Sequence, residues 1–341
     1  MSAEMEQVVV SGSEPGSRSY LWPRLALVQA VLLLAAVVIA LPIAFRSMGI
    51  LLTDGQARTL YDFPSGQAAT AASTAALEEE ESESYFNIAA IDLDEDLGSI
   101  TLAISGHRIC PNDICTTLTL NLVSLEDDAD VRRALPPSAP MTLTPDQEIF
   151  SQTVQLPVRG QPSQYPFDDY LLWLGLSGTV VEDGKKIDLT PELVANRALI
   201  TTQNQLRDYL MVPPVEIDLA RVTALNDPQE FVGVQELRFE RPVHQEILAV
   251  LLILLIAVSA IMAVAMRNMT DLIVGLGSLI LGIWGVRSVL VPSSLPVVTS
   301  IDLALSVIIL FVLLGLSVRS ALHFRRQSEL PPVTWRRRSG R

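Results

Sequence analysis

Four stretches of this chain, residues 25–45, 247–266, 272–291 and about 297–318, are long, apolar and nearly free of charge, and this restricts what the chain can fold into more than any other feature. A helix rising about 1.5 Å per residue needs about 20 residues to cross a hydrocarbon layer about 30 Å thick. Each run has that length, and the chain as a whole is 49% hydrophobic with a mean hydropathy of +0.37. Buried helices of soluble proteins are usually shorter, so the runs are expected to be membrane spans. The third and fourth contain one charge each, Arg287 and Asp302, both close enough to a run end for the side chain to reach the headgroup layer.

The sequence predicts which side each loop occupies. After the fourth run come Arg319, Arg325, Arg326, Arg336, Arg337, Arg338 and Arg341 against the single acid Glu329. Basic clusters beside a span mark the cytoplasmic side. Counting back through four spans puts residues 46–243 outside the membrane and residues 1–24, with Arg18 and Arg24, inside. The expected home is a bacterial inner or plasma membrane. The first run reads as an uncleaved anchor, because it is longer than a usual signal core and no clean small-x-small site follows Pro42; a cleaved export signal is the alternative.

Residues 46–243 hold 31 acids against 13 bases, a net −18 within a chain whose total is −14. Such a field repels nucleic acid and favours cations or a basic partner. Residues 46–84 include GQAATAASTAALEEEESES, whose consecutive glutamates repel one another without lasting apolar periodicity, and read as an acidic spacer. From residue 85 the pattern changes. Runs at 85–91, 99–105, 116–123, 150–156, 170–176, 215–222 and 231–239 are rich in Ile, Val, Leu, Thr and aromatics, and several alternate, as in Ile100-Leu102-Ile104. About seven strands separated by turn signals predict a β-sandwich over 85–243. Residues 191–211 read instead as a helix or helical loop capped by Thr190 with Pro191 at its first position. The expected fold class is a mixed membrane protein: an extracytoplasmic, mainly-β sandwich with one transmembrane α-helix before it and three after, closed by a basic tail at 319–341.

Few residues suggest chemistry. Cys110 and Cys115, the only cysteines, flank four turn-like residues and would face an oxidising compartment, so a structural disulfide is expected. Asp92, Asp94 and Asp96 alternate before Gly98, but the glycine is one place late for a helix-loop-helix calcium loop and Ala103 stands where its glutamate should be, which favours an acidic turn. In Tyr165-Pro166-Phe167-Asp168-Asp169-Tyr170, Pro166 restricts Tyr165 to extended geometry. Asp168 is expected to accept backbone N–H bonds with Phe167 packed beneath. The functional alternative is contact between Tyr165, Pro166, Phe167, Asp168 and Arg241 at the domain base and the membrane helices. Arg287 and Asp302 are expected to pair across the last loop, or Asp302 to cap the fourth helix with Thr299. Ser278, Gly282 and Gly285 would let the third helix approach a neighbour. His107, His244 and His323 fall in three different regions, and no catalytic, metal or cofactor set can be assembled.

The order of four segments, Ile91-Asp92 to Gly98, Tyr165 to Tyr170, Arg241-Pro242, and Leu290-Val291-Pro292 to Asp302, resembles the bacterial membrane-protein family called domain of unknown function 4436, familiar from actinobacteria. The resemblance covers about residues 20–320 and implies no activity. A fainter similarity of parts joins the chain to pentameric ligand-gated channels, which also use a Pro-Phe-Asp turn below a β-sandwich but place all four spans after it. The function expected is therefore non-enzymatic: a membrane-anchored binding or scaffold protein with a membrane or envelope protein partner, in contact with the bilayer and not with nucleic acid, with homo-oligomerisation left open. A ligand-responsive channel or sensor subunit is the first alternative, and an envelope hydrolase or redox enzyme the second.

Overall fold

The alternating runs become strands with one face turned inward: Ile100, Leu102 and Ile104 are buried, as are Leu118, Leu120 and Leu122. The computed structural model describes residues 59–63, 65–69, 84–110, 115–126, 135–182, 184–195, 198–217, 231–265, 269–291, 295 and 298–328. The first apolar run, 25–45, and residues 1–24 lie outside the described residues, as does the tail beyond 328. In chain order the strands are β1 (Leu60–Asp62), β2 (Ser84–Asp94), β3 (Ser99–His107), β4 (Thr117–Ser124), β5 (Ser138–Leu143), β6 (Ile149–Pro157), β7 (Arg159–Gly160) and β8 (Asp169–Glu182), with a 3-10 turn at Pro162–Gln164. There follow β9 (Lys185–Asp188), the short helix α1 (Pro191–Ala195), β10 (Ala198–Asn204), β11 (Leu210–Met211), β12 (Val215–Glu216) and β13 (Phe231–Glu240).

Two sheets face each other. One has the order β1-β10-β2-β3-β6; the other runs β11-β13-β8-β4-β5, with β7 and β9 added to β8 and β12 to β13. All pairings are antiparallel except β10 with β2. Ile100, Leu102 and Leu156 from the first sheet meet Leu122, Leu172, Leu174 and Phe239 from the second in one core. The sandwich is thus built as its alternation predicts, from the inner faces of two sheets.

Two expectations need correction. Residues 59–63 and 65–69, assigned by sequence to the acidic spacer, belong to the domain: β1 pairs with β10, and Phe63 is fully buried in the core. The Gln235 side-chain amide donates to the carbonyls of Asp62 and Phe63, tying this segment to β13. A strand of three residues is too short to display a period. The expected helix over 191–211 exists only as α1. It starts as predicted, with the Leu193 N–H donated to Thr190 Oγ1 and the Val194 N–H to the Thr190 carbonyl. It then gives way to β10, where Ile200, Thr201 and Thr202 place three β-branched residues in a row and suit a pleated surface better than a helix.

Three helices follow, α2 (Val243–Ala265), α3 (Met269–Leu290) and α4 (Ser300–Ser328), each long and apolar enough to cross a membrane. They carry exposed apolar side chains, among them Leu281, Trp284, Val289 and Leu310. Water is a poor solvent for such a surface and lipid a good one, so the protein is membrane-embedded. α2 and α3 start a few residues before the hydropathy runs, whereas α4 begins later than its run, at Ser300, where Thr299 and Asp302 fix its first turn, and continues through the basic residues to 328. The close helix approach also falls elsewhere than expected. A Cβ at Gly282 or Gly285 would meet nothing within 4 Å, whereas one at Gly315 would lie 2.7 Å from Val264 Cγ1. The close approach at a small residue is thus that of α4 to α2 at Gly315, and Arg319 Nη1 donates to the Val264 carbonyl 2.8 Å away, close to the end of α2.

Candidate functional site

The two-residue joint between β13 and α2, Arg241-Pro242, is buried at the base of the sandwich. A guanidinium removed from water needs partners for its charge and its donors. Arg241 Nε donates to Asp168 Oδ1 at 2.6 Å and Nη2 to Asp168 Oδ2 at 3.1 Å, a two-pronged ion pair in which the Asp168 side chain is fully buried. Nη2 also reaches Glu95 Oε1 at 2.5 Å and the Tyr209 hydroxyl at 2.5 Å. The Tyr209 hydroxyl passes its own hydrogen to Glu95 Oε1 at 2.5 Å. Tyr165 and Tyr209 hold the cation between two rings, with the guanidinium carbon 4.4 and 4.6 Å from their centroids.

Four separate segments converge here. Glu95 comes from the β2–β3 turn, Tyr165 and Asp168 from the segment between the 3-10 turn and β8, Tyr209 from the β10–β11 connection, and Arg241 from the β13–α2 joint. The β2–β3 turn is set by Asp94, whose Oδ1 accepts the N–H groups of Asp96 and Leu97 at 3.0 and 2.9 Å, and by Gly98 at φ 56°. Residues in αL favour glycine because a Cβ crowds the backbone there. The turn that resembled a calcium loop thus aims Glu95 inward at the arginine.

The electrostatics follow from burial and charge. Burial by itself lowers the Arg241 pKa, but the hydrogen bond it donates to Asp168 and the charges of Asp168 and Glu95 outweigh it, and the net shift is upward. The hydroxyls of Tyr165, Tyr170 and Tyr209 are pushed up, in each case mainly by burial. At neutral pH the site is one fixed cation between carboxylates and neutral phenols. With the guanidinium already filling the space between Glu95 and Asp168, the arrangement suits holding elements together rather than moving a proton.

Tyr165 carries the site to the helices. Its backbone is extended at φ −42° and ψ 131°, as the following proline requires, and its peptide bond to Pro166 is cis. The Tyr165 ring packs with Ala249, Val291, Leu295 and Ile301 of the helical region, and its hydroxyl donates to the Leu290 carbonyl at 2.6 Å. Ser300 Oγ at the start of α4 donates to the Ser163 carbonyl in the 3-10 turn at 3.2 Å. Each helix therefore meets the base of the domain at one end: α2 covalently, α3 through Tyr165 and α4 through Ser163.

Of the residues singled out by sequence, Tyr165, Pro166, Asp168 and Arg241 come together, with one change of role. Asp168 accepts side-chain donors from Arg241 rather than backbone N–H groups. Phe167 is not packed beneath the bend but half exposed beside it. Glu95 and Tyr209 were missed, the first because it sits among acids that read as a solvated turn, the second because it fell in the expected helix. Arg287 and Asp302 pair at 2.5 Å, while Asp302 Oδ2 also accepts the Thr299 N–H and hydroxyl at 3.1 Å each, so the pair and the cap coexist. Cys110 and Cys115 form a disulfide with Cα atoms 4.8 Å apart, at the end of the sandwich farthest from the helices. His107 ends β3, His244 lies in the first turn of α2 and His323 lies on α4, so they share no element. No family model matches this chain, and no curated protein matches it.

Proposed function

We propose that this protein is a non-enzymatic membrane-anchored binding module that holds an acidic β-domain at a fixed attitude on the outer face of a bacterial cell membrane, for recognition by a membrane or envelope protein. The observation that carries the reading is the attachment of the domain base to all three helices through the Arg241 cluster, Tyr165 and Ser163. A domain free to swing would need no such set of buried contacts. Its net charge of −18 over residues 46–243 favours a partner with a basic surface. The outward attitude follows from the arginines after residue 318, since basic flanks are retained in the cytoplasm.

Photo-crosslinkers placed in intact cells at Ile149 and Ile187, exposed positions on the sandwich, test this. The same protein adduct is expected from both sites in repeated experiments, weakened when Glu148 and Asp188 beside them are neutralised. Recovery of lipid adducts alone, or of none, would sink the proposal. An externally added protease should cut within 85–240 and spare the tail; the reverse pattern would overturn the orientation.

A second reading, a sensor subunit, is favoured by the single bond between Tyr165 and the end of α3. It requires hydrogen exchange around residues 288–291 to change when the domain is engaged, and unchanged exchange would remove it.

A further inference from the structure

Between the two sheets, at the end of the sandwich remote from the helices, lies a half-open cavity of about 920 Å³. Its walls are aliphatic, with Ile88, Ile104 and Ile200 from one sheet facing Leu120, Leu122 and Leu176 from the other. An apolar cavity of roughly 150 Å³ already stays dry and accepts a benzene-sized molecule. The present cavity is several times larger and near the upper end of small-molecule sites, about 300–1,000 Å³. Water gains little inside such walls, whereas an alkyl chain loses its exposed surface there.

The rim is polar. Arg108, only 6% exposed, borders the cavity beside Ser84 and Cys110. Its Nε and Nη2 donate to the Gln147 carbonyl, Nη2 also to the Thr144 carbonyl, and Nη1 to the Thr116 carbonyl, at 2.6–3.0 Å. These bonds use four of its five N–H groups, leaving one Nη1 hydrogen without a protein acceptor among the described residues. Carbonyl oxygens satisfy donors without cancelling charge, and among the described residues no carboxylate forms an ion pair with Arg108. Burial lowers the Arg108 pKa, the mark of a cation in a poorly solvated place. Glu182 on the same rim already has an interaction within the protein. Cys110, held in the Cys110–Cys115 disulfide between β3 and β4, lies on the same rim.

We infer that the sandwich binds one long-chain anionic amphiphile, its alkyl chain between the sheets and its carboxylate or phosphate head at Arg108. The remote position of the opening means that the ligand enters from the aqueous phase rather than laterally from the bilayer around α2–α4. Binding here is independent of the protein partner proposed above, so loss of either leaves the other standing.

The test uses the full chain in lipid nanodiscs and palmitate bearing a photoactivatable group in its chain, with the corresponding alkyl phosphate and alcohol as parallel probes. Adducts on α2–α4 report general partition into the bilayer. Palmitate and alkyl phosphate are expected to label Leu118 or Leu120, with labelling suppressed by excess unlabelled palmitate and lowered roughly tenfold by Ala198→Trp, which narrows the cavity from a part-exposed position on its wall. The alcohol should label these positions roughly tenfold less than the acid, and Arg108→Gln should bring the acid down to the level of the alcohol. Labelling confined to α2–α4, or cavity labelling indifferent to competitor and to Ala198→Trp, would overturn the site. Equal labelling of the wild-type protein by acid and alcohol would overturn the assignment of the head group, even if Arg108→Gln failed to fold. A preference for only one of the two anions would identify the head.

Discussion

Tyr165 donates its hydroxyl to the Leu290 carbonyl at 2.6 Å, joining the base of the β-domain to the end of a membrane helix 125 positions later in the chain. The same ring lies against the Arg241 guanidinium, so one side chain belongs to both the polar cluster and the helical packing. Tyr165→Phe would keep the ring and remove only the hydroxyl. A part-buried carbonyl left without its donor costs about 1 kcal/mol or more. Hydrogen exchange should rise around residues 288–291, with little change in β4 or β8, and a variant whose exchange is unaltered there would show that the bond contributes nothing to the attachment.

Arg241 presents a sharper case, because both of its acid partners are largely withdrawn from water, with side-chain exposures of 0% for Asp168 and 10% for Glu95. Arg241→Met would leave these carboxylates without a counter-charge. Breaking a buried pair in this way costs about 3–5 kcal/mol, more than the pair itself contributes relative to a well-packed apolar substitute. Arg241→Lys should also be damaging, since an ammonium cannot reproduce the two-pronged contact to Asp168 or lie flat between two rings. Adding Asp168→Asn to Arg241→Met should recover part of the loss. Chemical denaturation of the full chain in detergent would measure all three, and equal stability of wild type and Arg241→Met would contradict the buried cluster.

Alkaline pH should attack the same region. Tyr165, Tyr170 and Tyr209 have pKa values raised above 10 in the folded state, chiefly by burial. The native fold thus favours the neutral phenols, and the stability this contributes is fully present below the ordinary tyrosine value of 10.0. Above it, the unfolded chain loses protons that the folded chain keeps, and stability falls as pH rises toward the folded values. Tyrosinate absorbance from these three residues should therefore appear together with unfolding. Smooth ionisation of all tyrosines in a still-folded protein would refute the burial.

The elements legible in the sequence were those with enough length to show a period. β3 and β4 alternate over six residues or more, β8 carries an unbroken apolar run, and the last three spans are apolar over about 20, so their existence followed from pattern alone. β1, with three residues, and β10, hidden behind a correct helix start at Thr190-Pro191, had no comparable signal. At the candidate site, the Tyr165–Asp168 segment and Arg241 stood out because proline and a charge beside a span are locally unusual. Glu95 and Tyr209 became part of it only through tertiary placement: one acid among four in Asp92–Asp96, and one tyrosine inside a misassigned helix, cannot be distinguished by composition.

Phe63 offers a direct check on the segment that sequence had assigned to the spacer. Its side chain is fully buried beside β10 and β13, so Phe63→Ala would leave a void in the core and cost about 3–5 kcal/mol. Thermal unfolding of the purified chain should show a clear drop in midpoint. An exposed linker residue would instead give a change within about 0.5 kcal/mol, and that result would return residues 59–63 and 65–69 to the spacer.

Asp302 and Arg287 separate two contributions that the structure superimposes. The Arg287 side chain is 48% exposed, so its ion pair is open to solvent and screening and should be worth less than about 1 kcal/mol. Asp302 also accepts the Thr299 N–H and hydroxyl, while the Asp302 N–H is donated back to Thr299 Oγ1 at 3.3 Å, a reciprocal cap on the first turn of α4. Loss of a cap costs about 1 kcal/mol in addition to the pair. Asp302→Ala should therefore destabilise the helical region more than Arg287→Gln, and Thr299→Ala should resemble Asp302→Ala in raising hydrogen exchange over residues 300–304. If Arg287→Gln proved the more damaging of the two, the ion pair and not the cap would be what holds the start of α4.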